Sequence, residues 1–160
     1  MSGAEAGMYR LVETPIDLDE LIESVSGQGI GGIATFLGSV RIENEGKRVL
    51  AIEYHAYTPM AEKLLREIGE EARLRHADLR ISLVHRVGRL EIGEISVGIA
   101  AGSPHRREAL SAVAYAIERV KESLPIWKRE HYADGSAWLG LASGSPGSAQ
   151  KKGKPGGLPP

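Results

Sequence analysis

The chain has 160 residues, 42% of them hydrophobic and 26% charged, with a formal net charge of −1 and no cysteine. That length and apolar fraction fit one domain with its own core, the near-neutral balance gives no electrostatic case for nucleic acid, and the lack of cysteine excludes disulfides, thiolate metal sites and a cysteine nucleophile. No apolar run reaches the ~20 residues that cross a bilayer, and residues 1–9 lack the basic-then-apolar order of a secretory signal, so a cytoplasmic protein without a membrane span is expected.

Tyr9 to Val12 reads as a short strand. Asp17 can cap a helix, with Glu20 in the capping-box position and Leu18, Leu21, Ile22 and Val25 as its stripe. Gly27-Gln28-Gly29-Ile30-Gly31-Gly32 is a literal G-x-G-x-x-G, but a dinucleotide loop needs a strand before it and a helix after it. Here the order is reversed, and the run is read as a turn. Ile33 to Val40 is apolar and β-branched enough for a strand, Asn44-Glu45-Gly46 is a turn, and Val49 to Tyr57 alternates as a strand. Thr58 as cap and Pro59 at the first helical position open a long helix with Met60, Ala61, Leu64, Leu65, Ile68 and Ala72 on one face. Leu79 to Val87 and Ile95 to Ala101 are strands joined by a tight link over Gly88 to Gly93. Ser103-Pro104 starts a second long helix whose stripe is Leu110, Val113, Ile117, Val120 and Leu124, and Pro125 ends it. Ile126 to Tyr132 and Ala137 to Leu141 pair as strands around Asp134-Gly135. From Ser143 the composition turns to Gly, Pro, Ser and Lys, too poor in apolar side chains to order itself. The expected organisation is one domain over residues 1–142 and a disordered tail over 143–160. The pattern is α+β, with two long helices against a mainly antiparallel sheet.

The chemistry-bearing residues are basic. His105, Arg106 and Arg107 fall in the first turn of the second long helix, where the dipole favours acidic residues. A bound anion would explain them, and so would pairing with Glu108 or Glu118. Lys121 lies at the edge of the apolar stripe and Lys128 follows the helix-ending proline by three residues. A helix end and the strand after it can aim both lysines into one cleft. Arg41 ends the strand that contains Phe36 and Gly38. The five histidines show no metal-ligand spacing and no carboxylate motif, so no metal and no cofactor are expected.

Several ordered pieces fall into one pattern. They are Phe36-x-Gly38-x-Val40-Arg41, Ile52-Glu53-Tyr54, Met60-Ala61-Glu62, Val84-His85-Arg86-Val87-Gly88-Arg89-Leu90, Gly93-Glu94, His105-Arg106, Lys121, and Pro125-Ile126-Trp127-Lys128-Arg129-Glu130. In this order and spacing, over roughly Gly32 to Trp138, the chain resembles the catalytic (large) subunit of molybdopterin synthase. The resemblance implies an α/β hammerhead fold with a small antiparallel β subdomain. It implies a homodimer within a heterotetramer, each large subunit taking a small ubiquitin-like sulfur carrier whose C-terminal Gly-Gly bears a thiocarboxylate. The implied substrate is cyclic pyranopterin monophosphate, which gains two sulfurs to become the dithiolene of molybdopterin. By position, Lys121 and Lys128 are the implied catalytic residues, and Phe36, Arg41, His105 and Arg106 the substrate-binding ones, with His105 and Arg106 reaching in from the dimer mate. Two departures stand out: Ile42 follows Arg41 where relatives often have a polar residue, and no arginine follows Trp138 within Leu139 to Ser143. Cations suit an anionic phosphate and an anionic thiocarboxylate, and a lysine among other cations has a lowered pKa that equips it for proton transfer. The alternatives are a non-catalytic anion- or nucleotide-binding module on the same fold and a pure interaction protein.

Overall fold

Residues 7–135 and 137–141 are described by a computed structural model. Their elements in chain order are β1 (Tyr9–Val12), α1 (Leu18–Val25), β2 (Gly32–Ser39), β3 (Glu43–Asn44), β4 (Lys47–Ala56), α2 (Thr58–Arg75), β5 (Arg80–Arg86), β6 (Gly88–Glu91), β7 (Ile95–Ser103), α3 (Arg106–Ser123), β8 (Ile126–Tyr132) and β9 (Ala137–Leu141). The segment 143–160, expected as a tail, lies outside the described residues.

The first sheet has the order β1-β5-β7-β2. It is antiparallel except where β1 runs parallel to β5. The long helices α2 and α3 pack on one face and against each other, while α1 packs against β5 and β7. Leu21 and Val25 of α1 join Val84 and Ala100 in a small apolar cluster of their own, apart from the main core. With both faces covered, β5 and β7 are buried almost throughout. Glycines let α1 lie close: a Cβ at Gly98 would meet Leu21 Cδ1 at 2.8 Å, and one at Gly102 would meet the Val25 carbonyl oxygen at 2.3 Å. The second sheet runs β3-β4-β8-β9, with β6 also paired to β4. This is the α+β architecture expected from the sequence, and the second sheet, five strands paired antiparallel throughout, stands where the resemblance implied a small antiparallel subdomain.

The helices follow local chemistry with some differences from expectation. The Asp17 carboxylate accepts from the backbone N–H of Asp19 and of Glu20, which fixes the start of α1. Thr58 is not a cap but already helical; Tyr57 is the cap and makes no side-chain bond. Ser103 is still in β7, paired with Gly32, so α3 starts later, with His105 as its cap. The buried face of α3 is Ala109, Ala112, Val113, Ala116 and Val120, whereas Leu110 is exposed. Alanines bring the helix axis close to the sheet, and close packing won over side-chain size there. Met60 is likewise exposed, with Ala61, Leu65, Ile68 and Ala72 carrying the contact of α2. The Gly88 to Gly93 link is not bare: it contains β6, whose Leu90 is fully buried. The glycine-rich run is a turn, as expected, and it is tight. A Cβ on Gly31 would sit 2.4 Å from the Pro104 carbonyl oxygen, and one on Gly32 would sit 2.9 Å from Arg106 Cα.

Candidate active site

Strand alternation builds the site. β8 runs antiparallel to β4 with Lys128 opposite Tyr54 and Glu130 opposite Ile52. Residues two apart share a face, so Lys128 and Glu130 point inward while Trp127 and Arg129 are exposed. Two residues past the end of α3, Pro125 leads straight into β8, which brings Lys121 of the last helical turn over Lys128. On the other side, a register shift between Gly38 and Ser39 ends the regular pairing of β2 with β7 and delivers the chain to Arg41. Gly38 is needed for close approach, since a Cβ there would meet Val97 Cγ1 at 2.8 Å.

The result is a cavity of about 130 Å3 whose walls include Phe36, Arg41, Tyr54, Lys121, Lys128 and Glu130. A smaller chamber of about 40 Å3 adjoins it and shares Tyr54, Ser96, Lys121 and Lys128 as walls; His85 borders only this inner space. Four of the residues singled out in the sequence, Phe36, Arg41, Lys121 and Lys128, thus meet in one pocket. His105 and Arg106 do not. They are exposed at the opposite end of α3, and fifteen residues at ~1.5 Å rise put Arg106 about 22 Å along the axis from Lys121. Within one chain they cannot reach the pocket.

Glu130 was not singled out by sequence reasoning, although its place two residues after Lys128 in a strand was a usable signal. It is 1% exposed. Its carboxylate faces Lys128 Nζ at 3.0 Å and accepts from Asn44 Nδ2 at 2.9 Å and from the Tyr132 hydroxyl at 2.5 Å. Burial pushes this carboxyl up, but the Lys128 ammonium and the Tyr132 and Asn44 hydrogen bonds outweigh it and hold the group below the usual carboxylate range. Lys121 stays exposed along part of its surface. Even so, desolvation by the pocket walls, then the charges of Lys128 and Arg41, lower its pKa, with Glu118 opposing. Burial also raises the Tyr54 phenol, with the nearby Ser96 hydroxyl opposing the shift. The arrangement offers fixed cations for an anion, one amine with a depressed pKa, and an aromatic wall at Phe36.

Residues 11–123 match the family model described as "MoaE protein". The chain is 46% identical over 132 residues to the molybdopterin synthase catalytic subunit of Halalkalibacterium halodurans, covering 82% of this chain and 85% of that one. It is 41% identical over 144 residues to the catalytic subunit of Staphylococcus aureus, covering 90% and 97%. The crystal structure of molybdopterin synthase from Staphylococcus aureus superposes with a TM-score of 0.79 at 41% identity, over 82% of this chain and 95% of that one. A protein–protein complex of subunits 1 and 2 of molybdopterin-converting factor from Helicobacter pylori shares the fold, with a TM-score of 0.66 at 20% identity over 81% of this chain and 86% of that one.

Proposed function

This chain belongs to the MoaE protein family, and we propose on that premise that it acts as the catalytic subunit of a molybdopterin synthase, in molybdenum cofactor biosynthesis. Among its described residues no helix is long and apolar enough to cross a membrane, and we place its work in the cytoplasm. The observation that carries the reading is the convergence of Arg41, Lys121 and Lys128 on one cavity beside Phe36. The reaction is a sulfur transfer. A small ubiquitin-like partner presents a C-terminal thiocarboxylate, and its sulfur attacks a side-chain carbon of cyclic pyranopterin monophosphate. The C–S bond forms, that carbon's oxygen leaves, and water cleaves the resulting thioester to a thiol and the partner's carboxylate; a second thiocarboxylated partner repeats the transfer at the adjacent carbon to complete the dithiolene.

Each residue has a part set by its surroundings. Arg41 and Lys128 bind anion: the guanidinium is a fixed fork for phosphate or carboxylate, and Lys128 is held by Glu130 at the pocket wall. Lys121, with its lowered pKa, exchanges protons with the departing oxygen and the attacking water. Phe36 excludes water from one side. Cysteine is not needed, because sulfur arrives on the partner. His105 and Arg106 serve a pocket only if a second copy brings them there, so the working unit is a homodimer that binds two small partners.

The test is reconstitution of the purified chain with thiocarboxylated partner and cyclic pyranopterin monophosphate. Lys121→Ala and Lys128→Ala should each abolish most molybdopterin formation while circular dichroism stays unchanged. Near-normal product from both variants would sink the catalytic assignment and favour the anion-binding-module reading.

A further inference from the structure

His85 is a buried histidine that the mechanism above leaves unused. It sits in β5, 6% exposed, with its ring edge-to-face against Tyr54 at 5.1 Å and 74°. Its Nδ1 lies 2.7 Å from the Arg86 carbonyl oxygen. A carbonyl can only accept, so Nδ1 carries the proton and Nε2 keeps a lone pair. The ring borders the inner chamber together with Lys121, Lys128, Tyr54 and Ser96. At about 40 Å3 that chamber has room for a water or two, since roughly 10–15 Å3 suffices for one.

We infer that His85 is a positioning residue for Lys121. Its Nε2 accepts an N–H of the Lys121 amine, directly or through one water in the inner chamber, and so turns the amine's lone pair toward substrate in the outer pocket. A lysine amine has a flexible stem and rotates freely, and a proton acceptor works only when its lone pair faces the proton. An acceptor behind the amine removes that freedom. The acceptor must also stay neutral, or it would add a cation to a crowded site. Burial first, and then the Lys121 charge, push His85 down to about 4, against the opposing effect of the Arg86 carbonyl. The other groups around the two side chains are Lys128 and Glu130 on β8, Tyr54 on β4, Arg41 beyond β2 and Glu118 on α3. Among these Glu130 is committed to Lys128, Asn44 and Tyr132, and Tyr54 meets the His85 ring with its aromatic face or edge rather than with an acceptor for Lys121. Nε2 is thus an acceptor suited to holding Lys121 from behind.

The inference rests on Lys121 being the proton-transfer group, and the test separates the two. Asparagine places an N–H where Nδ1 was and keeps the bond to the Arg86 carbonyl, but has nothing at Nε2. Glutamine places an acceptor near Nε2 and gives up the Arg86 bond. In the reconstituted reaction, His85→Asn should lower kcat about tenfold to a hundredfold with KM for the pterin unchanged. His85→Gln should recover most of that loss. The opposite order, Asn near wild type and Gln impaired, would show that only the Arg86 bond matters and would overturn the inference, as would equal impairment of both or a loss confined to KM. Full activity of Lys121→Ala would instead overturn the reading on which the inference stands. The intact wild-type protein gives a second measurement. Its His85 imidazole 15N resonances should report the neutral Nδ1–H form from pH 6 to 9, with Nε2 shifting in Lys121→Ala. A cationic ring, the other tautomer, or an Nε2 signal indifferent to Lys121 would refute the contact.

Discussion

Replacing Glu130 by glutamine keeps the shape of the side chain and removes its charge. The carboxylate is 1% exposed and meets Lys128, Asn44 and Tyr132 at 3.0, 2.9 and 2.5 Å. Removing one partner of a fully buried ion pair costs about 3–5 kcal/mol. Lys128 retains 24% side-chain exposure, so its ammonium recovers some hydration, and glutamine still offers one acceptor; about 2–3 kcal/mol is expected. For a chain of this size that is a fall in Tm of about 4–12 °C. The pH dependence provides a sharper check. Folding lowers this carboxyl below its ordinary 4.5. Its stabilisation is therefore fully present above the unfolded pKa and is lost as pH falls through the folded value. Glutamine does not titrate. Urea unfolding of Glu130→Gln and wild type should show a constant gap in stability from pH 8 down to about 5, narrowing in acid below the ordinary carboxylate pKa. A gap of the same size at pH 7 and pH 3.5, or a variant as stable as wild type at pH 7, would refute the account of Glu130 as a buried, ion-paired carboxylate.

Further predictions separate the two lysines and probe the assembly. Lys121→Arg should be as inactive as Lys121→Ala, because arginine does not give up its proton near neutral pH, whereas Lys128→Arg should retain part of the activity as an anion anchor; product formation in the reconstituted reaction decides both. In Lys128→Gln, NMR titration of the Lys121 side chain should show its pKa move back toward 10.5, since a neighbouring cation that depresses it is gone; an unmoved or further lowered value contradicts the shared pocket. Gly31→Ala forces a Cβ to within 2.4 Å of the Pro104 carbonyl oxygen. It should cost about 1–3 kcal/mol, read as a lower Tm, and a neutral effect would mean that the turn relaxes freely. Light scattering at micromolar concentration should give twice the mass of one chain, and a monomer with and without partner would remove the role of His105 and Arg106.

Much of the molecule was legible from the sequence because the signals are local. Strand alternation around Tyr54 and Lys128, Asp17 as a cap and Pro125 as a stop each act within a few residues. The ordered basic residues were also legible, through resemblance to a known family. What failed was whatever depends on a neighbour far along the chain. Leu110 and Met60 looked like core because they are large, yet the sheet takes the alanines beside them and leaves these two exposed. β6 hides in a stretch that reads as a turn, because its pairing with β4 lies some forty residues upstream. Only the tertiary structure decided that Arg41 joins Lys121 and Lys128 in one cavity, and that Glu130 and His85 stand beside the two lysines. The physical reason is that burial and electrostatics are properties of assembled surroundings. A lysine, a glutamate or a histidine has its ordinary chemistry in the chain, and its working chemistry only where three or four distant segments close around it.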